Sequence, residues 1–277
     1  MSIIGGHVSI AGGLHKSVER AVAEDFNALQ IFVSSPRTFK PNNYTEEDIQ
    51  KFLTAYTNAQ MKALFFHAIY LVNLGSENEN LDVLSVNSLK NYLQVGAILG
   101  SSGTIVHIGS GSIEKICDSL SHILSDTPTS QKILVENMAS EKRIVFKIEQ
   151  CVEILEKVQS DRIQFCIDTQ HLFASGVDIC NSEVATSWLD DVERLIGIDK
   201  IACIHVNDSK TPCGSQHDRH ENIGEGEIGL EGIKTFLSDQ RLAHIPLILE
   251  VPGFAGNGPD KKNKLILESM LSTTGLV

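Results

Sequence analysis

Ile163-Gln164-Phe165-Cys166-Ile167-Asp168 is a short, almost wholly apolar run that ends on a carboxylate, and Thr169-Gln170-His171 follows it directly. A strand that is apolar at successive positions is buried on both faces, as strands of parallel sheets are. Seven more β-rich runs, most of them continuous in the same way, recur at 3–8, 28–32, 63–67, 104–107, 133–136, 201–206 and 246–250. Between them the apolar residues fall at helical spacing: Leu14, Val18, Ala21 and Val22; Ile49, Phe52, Leu53 and Tyr56 after a Thr45 cap; Leu89, Tyr92, Leu93 and Ala97 before Gly100. The alternation continues to Ile266, Met270 and Leu271. Eight βα units with no linker or compositional break predict an α/β fold, a single (β/α)₈ TIM barrel over residues 1–277.

Composition agrees with a folded globular chain, at 42% hydrophobic and 21% charged residues. The first residues lack the basic start and apolar stretch of a signal peptide, and no segment offers about 18 uninterrupted apolar residues, so a cytoplasmic protein with no membrane partner is expected. The six cysteines show no Cys-x-x-Cys spacing and read as free thiols. A net charge of −12 by itself points away from a polyanionic partner. If part of that charge is metal ligand, about three divalent ions would halve it and place positive charge where substrate lands.

The polar residues that end the apolar runs carry the chemistry. His7, His67, His107, Glu136, Asp168, His205 and Glu250 stand at or near the ends of seven different predicted strands. In a barrel those ends converge on one face. Any one alone reads as a cap or a satisfied polar group; together they read as a site. Imidazole and carboxylate without thiolate suit Zn²⁺, Mn²⁺ or Fe²⁺. Glu136 is the candidate bridge between two metals about 3.5–4 Å apart, because its two oxygens can each take one. Two local pairs add donors. Asp168 and His171 sit three apart past a strand, where a helix cap and a surface histidine is the plain alternative. Asp218 and His220 flank Arg219 and share a side if the loop is extended, where a solvated charged loop is the alternative. The stretch HIGSGS (107–112) lacks the Lys-Ser/Thr of a phosphate loop, so Gly109 and Ser110 are given only a shaping role. No serine elbow or singled-out cysteine offers a nucleophile, which leaves activated water.

These residues resemble the endonuclease IV family, the apurinic/apyrimidinic endonucleases of the xylose isomerase-like barrel superfamily. The carriers are GHVSIAGG (6–13), FHAIYLVNLG (66–75), VHIGSG (106–111), VEN (135–137), CIDTQHLFASG (166–176), HVNDSKTPCGSQHDRHENIGEGEIG (205–229) and LILEVPG (247–253). The resemblance implies one metal at His67, His107 and Glu136, a second at Glu136, Asp168, His205 and Glu250, and a third at His171, Asp218 and His220. It implies about three Zn²⁺ per chain, with Mn²⁺ or Fe²⁺ able to replace some. It also implies double-stranded DNA with abasic sites as partner, a monomer, and DNA-facing side chains at His7, Arg37, Tyr70 and Leu71. The chain departs from the family at Ala68, Ile108 and Gln170, and at residues 138–143, which replace a Gly-rich loop. A sugar isomerase or epimerase of the same superfamily would need only Glu136, Asp168, His205 and Glu250. A non-catalytic binding module would be expected to have lost a ligand position.

Overall fold

Strands that are apolar on both faces need cover on both, and in the computed structural model, which describes residues 2–273, a closed barrel supplies it. The first seven strands are β1 (Ile4–His7), β2 (Ala28–Ile31), β3 (Ala63–His67), β4 (Gly103–Val106), β5 (Ile133–Glu136), β6 (Ile163–Asp168) and β7 (Ile201–His205). A two-residue antiparallel pair, β8 (Asp208–Ser209) with β9 (His220–Glu221), comes before the last barrel strand, β10 (Leu247–Leu249). Every barrel pairing is parallel, and β10 closes the ring between β7 and β1. No helix among the described residues is long and apolar enough to cross a membrane.

The helices are α1 (Leu14–Ala23), α2 (Glu46–Asn58), α3 (Glu79–Leu99), α4 (Ile113–Ser125), α5 (Ile148–Val158), α6 (Thr169–Ser175), α7 (Ser182–Leu195), α8 (Gly229–Leu237) and α9 (Lys261–Thr273). Local chemistry sets several ends. The Thr45 and Asp48 side chains cap each other's backbone N–H at the start of α2, and Asn78 accepts from Leu81 N ahead of α3. Gly100 ends α3 at φ 74°, in the left-handed region where a Cβ is unwelcome.

Two helix faces differ from the sequence expectation. Gly96 rather than Ala97 turns inward on α3, because a Cβ at 96 would stand 2.4 Å from the Gln131 Oε1 atom and only glycine fits. Val22 is 52% exposed, at the margin of the buried stripe of α1. Neither α6 nor the β8–β9 pair was anticipated, since each is too short to show a period.

The barrel interior decides where the site lies. Ala28, Phe65, Ile105, Leu134, Cys166, Cys203 and Ile248 form one buried cluster inside the strands, distinct from the larger cluster between strands and helices. Gly5 joins this layer from β1; a Cβ there would meet the Ala28 carbonyl oxygen at 2.5 Å and the Ile248 side chain at 2.8 Å. Successive strand side chains alternate between faces, so the residue two further on points inward again, one layer higher. On the eight strands those residues are His7, Gln30, His67, His107, Glu136, Asp168, His205 and Glu250. The apolar layer is the floor of the site, and strand phase alone aims its walls.

Candidate metal centre

Glu136 stands at the centre, fully buried at the end of β5. Its Oε2 atom lies 3.2 Å from His67 Nε2 and 2.9 Å from His107 Nε2, and its Oε1 lies 3.0 Å from His205 Nδ1. The two oxygens of one carboxylate thus face two different groups of donors. Ligand atoms of His67, His107 and Glu136 all lie within 4.8 Å of one another, as do those of Glu136, Asp168, His205 and Glu250. Cys166, Cys203 and His205 meet the same distance. Burial, with Cys203 beside it, holds the Cys166 thiol well above its usual range, far from the thiolate a metal takes.

The third group is built on α6 and the loop before β9. The Asp168 Oδ1 atom accepts from His171 N, which makes Asp168 the N-cap of α6 and turns His171 inward. His171 is 1% exposed, not the surface histidine of the plain alternative. Its Nδ1 faces the Asn137 carbonyl oxygen at 2.9 Å and donates there, which leaves Nε2 as the nitrogen turned to the site. That Nε2 is 3.3 Å from Asp218 Oδ2; His220 Nε2 is 3.3 Å from Asp218 Oδ1 and 3.6 Å from Asp168 Oδ2. Both Nε2 atoms are buried without a hydrogen-bond partner. Ligand atoms of Asp168, His171 and His220 lie within 4.8 Å of one another, and the Asp218 carboxylate stands beside them at the lip, a set of nitrogens and oxygens of the kind that surrounds a cation. This all-N/O donor set fits Zn²⁺, Mn²⁺ or Fe²⁺.

The loop bearing Asp218 is moored to α6. The backbone N–H groups of Gly214 and Gln216 donate to the Phe173 and Ala174 carbonyls at 3.1 and 2.9 Å. The buried Gln170 side chain donates from Nε2 to the His217 carbonyl at 2.9 Å and to Ser209 Oγ at 3.1 Å. β8 and β9 close the base, with Ser209 opposite His220.

The charges respond to this crowding. Burial pushes His171 down, but the Asp168, Asp218 and Glu136 carboxylates outweigh it and lift the imidazole to about 10. His205 and His67 are raised against the same burial, His205 by Glu250 and Glu136, His67 by its hydrogen bond to Glu136. Burial works against ionised Glu136 and Glu250, yet His107 and His205 at the first and His205 and His7 at the second hold both carboxyls well below their usual range. Asp218, half exposed at the lip, is also disfavoured by desolvation but held at about 2 by His171 and His220. Negative charge so arranged attracts cations of any kind; protons occupy the imidazoles where a divalent ion could displace them.

Other sequence-predicted residues fall in different places. His7 is within the cluster, with Nδ1 2.9 Å from Glu250 Oε1 and its ring 4.4 Å from that of Phe32; burial lowers its pKa. Tyr70 is 58% exposed, its ring 5.7 Å from His67 and 6.3 Å from His107, and Leu71 beside it is 40% exposed. Arg37 is exposed in the loop after β2; among the described residues no hydrogen bond or ion pair joins it to the cluster. A cleft of about 640 Å³ runs from His7 and Phe32 to Pro36 and Asn257 along this rim. A more enclosed cavity of about 410 Å³, walled by Phe165, Cys151 and Trp188, lies behind the barrel wall and is lined by none of the nine candidate ligands.

Of the departures, Ala68 and Ile108 are buried apolar residues beside their histidines. The 138–143 loop is tied down by Glu141 N to Gln216 Oε1 at 3.4 Å and is followed by Val145 at φ 71°, an uncommon conformation for a β-branched residue. Three supporting residues escaped the sequence reading. Asn137 accepts from Asp168 N at 2.6 Å, and Asn207 donates to Asp168 Oδ2 at 2.7 Å while accepting from Glu250 N at 2.8 Å. Gln30 touches His7, His205 and Glu250; a lone amide within the apolar run 28–32 was its visible signal.

A family model described as xylose isomerase-like TIM barrel matches residues 18–272. The chain is 35% identical over 266 residues to the probable endonuclease 4 of Halothermothrix orenii, covering 93% of this chain and 96% of that protein. With the probable endonuclease 4 of Haloarcula marismortui it shares 32% identity over 255 residues, 90% of this chain and 92% of that one. Among solved structures, endonuclease IV from Thermus thermophilus superposes with a TM-score of 0.88 at 32% identity, covering 98% of this chain and 99% of that chain. A D-tagatose 3-epimerase-like protein shares the fold, with a TM-score of 0.71 at 20% identity over 98% of each chain.

Proposed function

Because the chain belongs to the endonuclease IV family, we propose that it is a metal-dependent DNA-repair nuclease that hydrolyses the phosphodiester 5′ to an abasic site, leaving a 3′-hydroxyl and a 5′-deoxyribose phosphate. The observation that carries this proposal is the third donor group, with the two orphaned Nε2 atoms of His171 and His220 facing Asp218. Glu136, Asp168, His205 and Glu250 alone would also serve a sugar isomerase. Such an enzyme moves hydrogen between carbons and has no use for another cation beside a phosphorus centre. About three zinc-type ions, when bound, would lower the pKa of a water to roughly 7 and offset charge developing on phosphoryl oxygens.

The protein's own residues have separable roles. Glu136 spans the two strand-borne groups with its two oxygens, and its burial fixes their separation. His67 points Nδ1 at the Ala68 carbonyl at 2.7 Å and His171 points Nδ1 at Asn137, so each presents Nε2 to the site. Asp218 brings a carboxylate to the lip, where a phosphate would arrive. Tyr70, its ring beside those of His67 and His107, and the exposed Leu71 next to it offer a wedge, and Arg37 a cation on the neighbouring loop, suited to holding a duplex open around a flipped nucleotide.

Incubation with a duplex containing one abasic site, with and without chelator, tests the proposal. Chelator-sensitive incision that leaves a 3′ end extendable by a polymerase is expected. An unsaturated 3′ sugar would mark a lyase instead, and isomerisation of a free ketose without DNA incision would return the isomerase reading.

A further inference from the structure

Gln30 is the one residue of the upper barrel layer that neither ionises nor offers an imidazole, and it is fully buried. It rises from β2, which brings no candidate ligand, and reaches past β1 toward β10 and β7. Its Oε1 lies 2.8 Å from His205 Nε2, and its Nε2 lies 2.6 Å from Glu250 Oε1 and 3.0 Å from His7 Nδ1.

We infer that Gln30 is a positioning residue that sets two ligands of the second metal group at once: it fixes the proton of His205 on Nε2 and holds Glu250 by one oxygen. An amide carries an acceptor and a donor on the same rigid plane. The acceptor can meet His205 only if Nε2 carries hydrogen, so Nδ1 is the nitrogen presented to the site, and it lies 3.0 Å from Glu136 Oε1 and 3.2 Å from Glu250 Oε2. The donor fastens Glu250 Oε1, which leaves Oε2 beside that same Nδ1. Turning the amide over would set its oxygen 2.6 Å from a carboxylate oxygen, so Glu250 fixes its orientation. Both ligands are thereby aimed before any ion arrives. Partners of this kind are worth about 10–100-fold in metal affinity.

The inference rests on the metal-dependent reading above, and its test separates the two. Zinc is titrated into the stripped full-length protein against a chromophoric chelator, and long-range proton–nitrogen spectra of the His205 ring are recorded on the loaded form. Gln30→Met, of similar length but without donor or acceptor, should weaken one zinc by about 10–100-fold, leave the others unchanged, and turn the hydrogen-bonded, slowly exchanging Nε2–H signal of His205 into a fast-exchanging one. Gln30→Glu keeps an acceptor for His205 but sets a carboxylate oxygen against Glu250 Oε1. It should keep the ring pattern and still lose affinity. Wild-type affinity with an unchanged ring pattern in Gln30→Met overturns the inference. If that variant does not fold, wild-type affinity in Gln30→Glu does so. A wild type that loads zinc yet leaves abasic DNA uncut would sink the nuclease reading alone, and one that takes up no zinc would overturn both.

Discussion

Six of the nine candidate ligands, His67, His107, Glu136, Asp168, His205 and Glu250, stand on barrel strands or one residue beyond them, whereas His171, Asp218 and His220 stand on elements added above the rim. The first set is aimed by strand phase over a packed floor, and displacing any of them means disturbing the barrel. The second is aimed by a short helix, a two-residue strand pair and a handful of hydrogen bonds to the Asp218 loop. Rigid placement suits groups that hold ions in a fixed relation. A moored loop suits a group at the lip, half exposed, that must admit a bulky polymer.

Glu136→Gln should produce the largest effect, because an amide cannot offer two anionic oxygens to two groups. Incision under single-turnover conditions should fall by several orders of magnitude while the thermal midpoint stays within a few degrees. A near-wild-type rate would contradict the bridging role. Asp218→Ala breaks the loop-borne set only: one of about three metals should be lost by elemental analysis, with incision down about 10²–10³-fold. Full incision with unchanged metal content would dissolve the distinction between the two sets. Gln170→Leu leaves every ligand in place but cuts the mooring to His217. Affinity for the last metal should drop by about 10–100-fold with the other sites untouched, and equal weakening of all sites would show that the loop is not an independent unit.

Much of this organisation was legible in the sequence, because each barrel strand announces itself as an apolar run and its functional residue as the polar group that ends the run. Gln30 was the exception. An amide inside a run carries no charge to draw notice, and only the two-residue step from Ala28, matched to Ile105–His107 and Leu134–Glu136, marks it as facing the site. The loop-borne set was harder to read. Seven residues of α6 are too few for a helical period, and Asp218 with His220 gains meaning only from β9 and from the backbone bonds between 214–216 and α6. Nothing local distinguishes that stretch from a solvated charged loop.

Smaller effects sharpen the contrast at its edges. Tyr70→Ala removes an exposed ring and no ligand, so binding of an abasic duplex should weaken by about tenfold, while cleavage of a gapped, flexible substrate should change little. Equal losses on both substrates would argue against a wedge. The last expected effect is on stability and is confined to the metal-free protein. In metal-free protein the His171 imidazole is raised from 6.5 to about 10, so its contribution is complete below pH 6.5 and is lost as pH rises through about 10. The thermal midpoint of the stripped protein should therefore decline between those values, and His171→Asn should flatten the decline; an identical slope in the variant would exclude His171 as its source.

The pairing of β6 with β7 contains one irregularity: Phe165 pairs with Ile201, but Cys166 pairs with Cys203, so Ala202 is a residue in excess. Such a bulge absorbs a change of chain length within a strand. Here it sits below the floor layer, and Cys203 and His205 above it keep their inward phase. Deletion of Ala202 should therefore leave every ligand on its own side of the strand. Above the bulge the strand has no such slack, for deletion of Ile204 would turn His205 toward the helices. Tolerance to insertion and deletion should end between Ala202 and Cys203, a boundary drawn by the backbone inside a single strand.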